Sequence, residues 1–266
     1  MVDVQGRSDE RNIAIQKVGV RNLRYPVTVL DKVNQEQHTV ATVSLYANLP
    51  HHYKGTHMSR FIEVFNRHYT DIRMPTFLTM LEQIRVALDA ETAFGEVHFP
   101  YFVQKAAPVS RQPGMMSYHC WFSAEKGADG SRFIVGLEVP VATVCPCSKE
   151  ISSRGAHNQR GTVRVQVQLG PFFWLEDLIE LVEASASSGL YTLLKREDER
   201  FVTEYAYDHP VFVEDLVRAS CLAIESRYPF PWFSVEAENM ESIHNHDAYA
   251  FVERGEQQWQ VGNHGD

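Results

Sequence analysis

Alternating apolar and polar positions mark the predicted strands in the first half of the chain. The alternation predicts four β-strands, in VRNLRYPVTVLD, HTVATVSLYANL, GEVHFPYFVQK and MSYHCWFSAEK. Between the second and the third, the segments MSRFIEVFNRH and PTFLTMLEQIRVALD have the spacing of amphipathic helices, and Pro75 suits a first helical turn. The predicted order of elements is therefore ββααββ.

The second half repeats this order with different residues. Strand patterns occur in RFIVGLEVPVATV, GTVRVQVQLG, PWFSVEAEN and HDAYAFVERG, and helical patterns with acidic first turns in FFWLEDLIELVEASAS and HPVFVEDLVRASCLAIESRY. The charged segment Lys195 to Arg200 is interpreted as a link between these two helices. The pattern predicts an α+β protein of two tandem ββααββ units, 14–128 and 129–256, joined near Gly127 to Gly130.

Composition and charge limit the classes of function. With 266 residues, 44% of them hydrophobic, the chain can form one large or two modest folded domains. Its formal net charge of −9 argues against a nucleic-acid or anionic-membrane partner, which would need a basic face. No apolar run reaches the roughly 18 residues of a membrane helix, and the first residues lack the apolar core of a signal peptide. We therefore expect a cytoplasmic protein whose cysteines are thiols.

The segment CPCSKEISSRGAHNQRG is the first candidate for chemistry. It connects two predicted strands and contains Cys147 and His157, whose sulfur and nitrogen atoms suit zinc or a similar divalent ion. A nucleophile with its base, or an ordinary polar loop with a structural thiol, fits the spacing equally well.

A second cluster follows the penultimate strand pattern. Glu241, His244 and His246 lie within six residues, where they can bind a metal or transfer protons near neutral pH. A surface turn with two histidines is the alternative interpretation.

Three further segments supply candidate ligands. Glu199 lies in the charged segment, as a carboxylate ligand or as part of a solvated turn. Glu214 is predicted in the first turn of a helix, where its carboxylate can accept two parallel hydrogen bonds from a ring N–H and an amino group such as those of guanine. Lys54, His57 and Arg60 precede or begin another helix, as a phosphate site or as solvated charges.

Taken together, the motifs resemble those of one enzyme family. LPHHYKGTHMSRFIEV, VCPCSKEISSRGAHNQRG, LKREDE, HPVFVEDLVR and ESIHNHDAYA are similar to the bacterial type IB GTP cyclohydrolases, and the resemblance runs from about residue 14 to 255. It implies the tunnelling fold (T-fold), with antiparallel sheets and helices on one face. It also implies a homotetramer with active sites at subunit interfaces, and GTP as the substrate.

The resemblance also implies roles for the candidate residues. The family converts GTP and water into formate and 7,8-dihydroneopterin triphosphate, the first committed step towards tetrahydrofolate. The matching positions for a divalent metal such as zinc, manganese or iron are Cys147, His157 and Glu199, while Cys145 is expected to be a bystander. Glu214 matches the purine anchor, and Glu241, His244 and His246 match the rest of the catalytic wall. The candidates for the phosphates are Lys54, Arg60, Lys149, Arg154, Arg160, Lys195 and Arg196.

Two other functions compete with this interpretation. A nitrile oxidoreductase of the same fold would use Cys147 as a covalent nucleophile, although the chain has no dinucleotide-binding fingerprint. A non-enzymatic oligomer would use the two clusters as a structural metal site closed by four protein ligands.

Overall fold

The computed structural model describes Gln5 and residues 9–261. These residues form ten strands and six helices, and the α+β class is confirmed. The strands are β1 (Ile15–Asp31), β2 (Gln35–Leu49), β3 (Thr92–Ala106), β4 (Pro113–Gly127), β5 (Gly130–Val144), β6 (Asn158–Gln168), β7 (Ser188–Gly189), β8 (Trp232–Met240), β9 (Asp247–Gly255) and β10 (Gln260–Val261). The helices are α1 (Met58–Phe65), α2 (Met74–Ala87), α3 (Pro146–Ile151), α4 (Leu175–Ala184), α5 (Arg196–Asp208) and α6 (Val213–Arg227).

The chain divides into two compact units that are not sequential halves. Unit 1 consists of residues 1–100, 121–135 and 258–266, and unit 2 of residues 101–120 and 136–257. The predicted division at residue 128 falls in the turn between β4 and β5. The predicted division was drawn from the order of elements along the sequence. The compact units of the folded chain have different bounds.

Unit 1 is a mostly antiparallel sheet with two helices. β1 pairs with β2, and β2 pairs with the first part of β3, both in antiparallel register. The helices α1 and α2 bury their apolar stripes, including Phe61, Phe65 and Phe77. A Cβ atom at Gly95 of β3 would lie 2.7 Å from the Phe77 ring, so the glycine permits close packing of this helix on the sheet.

Unit 2 contains the other helices and the C-terminal strand pair. β8 lies between β6 and β9 and pairs with both in antiparallel register. Every second residue of β6 is buried, including Val163, Val165 and Val167, as expected for a strand that faces a core on one side. Helix α6 packs against β8 and β9 and buries Leu216 and Ile224.

Two predictions for the second half need correction. The charged segment Lys195 to Arg200 is not a link, because residues from Arg196 onward form the thirteen-residue helix α5. The predicted loop around Cys147 contains the short helix α3, and α6 begins at Val213, four residues after the start of its predicted segment at His209. No helix among the described residues is long and apolar enough to cross a membrane.

Candidate active site

A cavity of about 300 Å³ lies within unit 2, at the ends of β6, β8 and β9 and at the start of α6. Its lining brings together residues that are far apart in the sequence. They are Cys145, Pro146, His157, Gln159, Val211, Phe212, Val213, Glu214, Asn239, Glu241, His244, His246 and Ala248. Five predicted site residues therefore share one cavity: His157, Glu214, Glu241, His244 and His246.

His157 is held on the sheet wall of this cavity by its Nδ1 atom. Nδ1 lies 3.1 Å from Oε1 of Gln159 and 3.8 Å from Oε2 of Glu241. The side chains of His157 and Glu241 are only 13% and 14% exposed. Because both neighbours of Nδ1 are oxygen acceptors, the neutral tautomer with its hydrogen on Nδ1 satisfies these contacts and leaves the Nε2 lone pair for a partner in the cavity.

The two cysteines of the CPC motif differ in position. Cys145 precedes α3 and lines the cavity, whereas Cys147 lies within α3 and is exposed. The backbone N–H of Cys145 donates to the carbonyl of His157 at 3.1 Å, which fixes the two residues side by side. In this placement Cys145 is the thiol beside His157; that Cys147 is the ligand and Cys145 a bystander stays a prediction.

Ser148 connects the same two residues. Its hydroxyl donates to the carbonyl of Cys145 at 3.2 Å and accepts from the backbone N–H of His157 at 3.1 Å. Its backbone N–H donates to Sγ of Cys145 at 3.4 Å. Hydrogen bonds thus join the two ends of the segment from Cys145 to His157.

The start of α6 forms the opposite side of the cavity. Glu214 lies in the first helical turn, as predicted, where the helix dipole favours an ionised carboxylate. The backbone N–H of Val211 donates to the carbonyl of Val144 at 3.1 Å, which ties the segment before the helix to the end of β5.

The turn between β8 and β9 carries the predicted histidine cluster. The rings of His244 and His246 are stacked with centroids 5.1 Å apart, and the backbone N–H of His244 donates to the carbonyl of Glu241 at 3.3 Å. The hydrogen-bonded turn therefore presents both imidazoles next to Glu241.

Other predicted site residues lie outside the cavity lining. Cys147 and Glu199 are exposed, the latter on α5. Lys54, His57 and Arg60 belong to unit 1, where Nη1 of Arg60 donates to the carbonyl of Ala87 at 2.6 Å.

The predicted metal centre is not assembled within one chain. In the part of the chain that the structure describes, no three His, Cys, Asp or Glu side chains converge closely enough to hold a metal ion. The donors of the cavity have suitable chemistry, but the described residues of one chain do not form a complete ligand set.

Sequence reasoning missed three lining residues whose side chains can bond to a ligand: Cys145, Gln159 and Asn239. The amides of Gln159 and Asn239 neither titrate nor belong to a ligand motif, so only the alternation of β6 and β8 could have pointed to them. The described lining residues also include no Lys or Arg, so the cavity wall carries carboxylates and imidazoles without a permanent positive charge.

Comparisons with known proteins identify the family. The sequence profile of the family described as type I GTP cyclohydrolase folE2 matches residues 1–250. The chain belongs to the type I GTP cyclohydrolases. The GTP cyclohydrolase FolE2 of Syntrophus aciditrophicus (strain SB) is 54% identical over 254 residues, covering 96% of this chain and 100% of the relative. The GTP cyclohydrolase FolE2 of Geotalea uraniireducens (strain Rf4) is 51% identical over 263 residues, covering 99% and 97%.

Solved structures with this fold include urate oxidases at very low sequence identity. Urate oxidase from Bacillus sp. TB-90 is 8% identical and covers 92% of this chain and 100% of its own, with a TM-score of 0.50. A highly active mutant of the same enzyme is 9% identical, covers 91% and 100%, and also has a TM-score of 0.50. At this identity the similarity shows a shared fold alone.

Family membership favours the cyclohydrolase interpretation over both alternatives. A nitrile oxidoreductase with Cys147 as nucleophile is disfavoured further, because this thiol does not line the cavity that contains the histidines.

Proposed function

We propose that this protein converts GTP and water into formate and 7,8-dihydroneopterin triphosphate, the first step of tetrahydrofolate biosynthesis. The observation that carries the proposal is the cavity of unit 2, which gathers His157, Glu214, Glu241, His244 and His246 in a member of the type I GTP cyclohydrolase family. The type IB subtype, indicated by the sequence motifs, is part of this proposal.

Glu214 is proposed to bind the purine. An ionised carboxylate accepts two parallel hydrogen bonds, which matches N1–H and the adjacent 2-amino group of guanine. Its position in the first turn of α6 places this carboxylate in the lining of the cavity. This interaction would orient the imidazole ring of guanine in the cavity.

The histidines and Glu241 are proposed to move protons during hydrolysis. Protonation of guanine N7 makes C8 electrophilic, and water then adds at C8 and loses a proton. The acid for N7 is proposed to be His244 or His246, on the turn beside Glu241, because Nδ1 of His157 is engaged by Gln159 and Glu241 and its Nε2 lone pair is the donor proposed for the metal. Opening the ring and releasing formate require further proton transfers, for which His244 and His246 lie on the adjacent turn.

The cofactor is proposed to be a divalent metal ion such as zinc, manganese or iron. The motif positions for its ligands are Cys147, His157 and Glu199, and the geometry adds Cys145 as the thiol beside His157. A mixed set of sulfur, nitrogen and oxygen ligands accepts several divalent ions. Since one chain does not assemble the set, we propose that it is completed in the oligomer. If only zinc, among zinc, manganese, iron and cobalt, restored activity to stripped enzyme, the broad metal preference would be wrong.

The proposed assembly is a cytoplasmic homotetramer of the tunnelling fold, with active sites at subunit interfaces. The tandem units 14–128 and 129–256, with helices on one sheet face, belong to the same proposal. Lys54, His57 and Arg60 are proposed to contact the substrate phosphates, since the cavity lining of unit 2 includes no Lys or Arg among its described residues. Analytical ultracentrifugation would test the tetramer directly.

The activity is tested by incubating the metal-loaded protein with GTP and measuring formate together with pterin fluorescence after oxidation. We expect both products in equal amounts. Glu241→Gln should lower turnover by about a hundredfold or more, because it removes a carboxylate from the proton-transfer wall. Glu238→Gln is the matched control, since Glu238 is an exposed residue of β8 three positions before Glu241. No turnover with any of four divalent metals would reject the proposed function.

A further inference from the structure

We propose that Asn239 is a substrate-binding residue that recognises the exocyclic 2-amino group of the purine. The inference rests on the proposed function and names a specificity determinant within the same cavity. Asn239 lies near the end of β8 and lines the cavity together with Glu214 and Glu241.

The side chain of Asn239 is buried without a partner for its oxygen. The residue is 1% exposed, and its Oδ1 atom accepts no hydrogen bond from any residue that the structure describes. An unsatisfied buried oxygen costs about 1 to 3 kcal/mol, so such atoms are uncommon in folded proteins and need an explanation. Since Asn239 lines the cavity, a hydrogen-bond donor on a bound molecule is the natural partner.

Gly161 creates the space that the amide occupies. It is the partner of Asn239 in the β6–β8 register, and a Cβ atom at this position would lie 2.4 Å from Oδ1 of Asn239. Any side chain at position 161 would therefore displace the amide. Glu241 is two residues further along the chain, on the same face as Asn239 if the extended backbone of β8 continues. The glycine thus leaves room for the amide oxygen, and Asn239 itself is among the residues that line the cavity.

Charge and hydrogen-bonding capacity together indicate which part of GTP meets Asn239. The described lining includes no Lys or Arg, so the triphosphate has no counter-charge here and the base enters instead. Guanine has three N–H bonds on its donor edge, one at N1 and two on the 2-amino group. A carboxylate such as that of Glu214 accepts one from each. The remaining N–H of the 2-amino group then requires one more acceptor, which Oδ1 of Asn239 supplies.

The test compares GTP with ITP, whose base lacks the 2-amino group. We expect the wild-type protein to favour GTP in kcat/KM by at least about tenfold, because a site built to hydrogen-bond a group rejects the analogue that lacks it. Asn239→Leu and Asn239→Ala should bring the ratio close to one, mainly by lowering kcat/KM for GTP. Asn239→Asp keeps an acceptor and should retain the preference. Glu238→Gln is the control on the same strand.

The outcomes separate this inference from the proposed function. If the wild-type protein releases no formate from GTP, the proposed function itself fails. If it is active but does not distinguish GTP from ITP, or if Asn239→Leu and Asn239→Ala fold and keep the wild-type ratio, the role of Asn239 is refuted. Thermal unfolding identifies a variant that does not fold; the smaller Ala and the isosteric Asp substitutions then decide the question.

Discussion

Cys145 and Cys147 are two residues apart in the sequence but lie in different environments. The motif CPC offers two thiols, and spacing alone does not tell which one faces the cavity. In the folded chain a hydrogen bond between the backbones of Cys145 and His157 holds Cys145 beside the histidine, and Cys145 lines the cavity. Cys147, in the first turn of α3, is exposed and is not among the residues that line the cavity.

The two cysteines can be separated by substitution. We expect Cys145→Ser to weaken metal retention and to lower turnover at least about a hundredfold, since serine is a poor ligand for soft divalent ions. Cys147→Ser should retain both properties if Cys145 is the thiol of the site. Metal content after dialysis against a chelator and the rate of formate release provide the measurements. The opposite pattern would assign the ligand to Cys147.

Gln159 is expected to act through His157 as a positioning residue. Gln159→Leu removes the acceptor from Nδ1 at similar volume, and we expect kcat to fall about ten- to a hundredfold with KM changed less than about twofold. Gln159→Glu retains an acceptor and should recover much of the rate. Gln166→Leu, a half-buried position on the same strand, is the control. Steady-state kinetics would contradict this role if KM rose while kcat stayed constant.

Helix α5 was not predicted from the pattern of hydrophobic and polar residues. It begins with Arg-Glu-Asp-Glu-Arg, and its buried residues are Asp198 and Ala206, so its first five residues give no apolar signal of a helix. The helix is instead fixed at its start by Asp198, which accepts from the backbone N–H groups of Val109, Ser110 and Lys195 at 2.8 Å each. Burial raises the pKa of this carboxyl. The hydrogen bonds from Ser110 and from the backbone N–H groups lower the pKa by more than burial raises it, so the pKa of Asp198 lies below its usual range.

The other elements were predictable because apolar burial determines them. Alternating apolar positions correctly predicted the strands β2, β6 and β8, and apolar stripes correctly predicted the helices α2 and α6. The site was predictable in part: His157, Glu214, Glu241, His244 and His246 share the cavity. Burial of an uncharged amide such as that of Asn239 depends on which residue of β6 lies opposite it. That register is visible only in the folded sheet and could not be predicted from the sequence.

The segment before α2 is expected to make stability depend on pH. Asp71 accepts hydrogen bonds from Arg73 and from Thr76 at 3.0 Å, and the Arg73 side chain is the main cause that lowers the pKa of Asp71 from 3.8 to about 2. A carboxyl whose pKa is lowered by folding stabilises the protein above its unfolded pKa. Its contribution is therefore complete above about pH 4 and is lost as the pH falls towards 2.

Asp71→Asn should make acid unfolding less steep. At neutral pH we expect a loss of about 1 kcal/mol, because solvent screens this partly exposed pair. Between pH 4 and pH 2 the difference from wild type should shrink, since both proteins then lack the charge. Thermal unfolding as a function of pH is the measurement, with Glu63→Gln on α1 as the control. A constant difference across this pH range would contradict the assignment.

At the scale of the whole molecule, the last described residues return to unit 1 after β9. Strand β10 pairs with Gly130 and Ser131 of β5. The indole of Trp259 is packed where Gly127 and Gly130 lack side chains, since a Cβ atom at Gly130 would lie 2.5 Å from its Nε1. This segment lies beyond residue 250, where the family match ends. It therefore adds contacts to unit 1 that the family profile does not include.

Truncation after Gly255 should lower stability and leave catalysis intact. Trp259 is 42% exposed, so we expect removal of its packing to cost about 1 to 2 kcal/mol. The kcat for GTP should stay within about twofold of wild type, because none of residues 256–261, the part of the segment that the structure describes, lines the cavity of unit 2. Trp259→Ala should reproduce most of the loss, and Glu256→Ala should not. Thermal unfolding and formate release measure the two effects, and a truncated protein with unchanged stability would contradict the packing role.

The contact between Gly161 and Asn239 also has a consequence for evolution. The side chain of Asn239 fills the space that a side chain at position 161 would need, since Oδ1 of Asn239 would lie 2.4 Å from a Cβ atom at position 161. The two positions should therefore covary among related sequences: a lineage that replaces Gly161 must also shorten residue 239. Neither substitution is then neutral by itself, and the order in which the two occur is constrained.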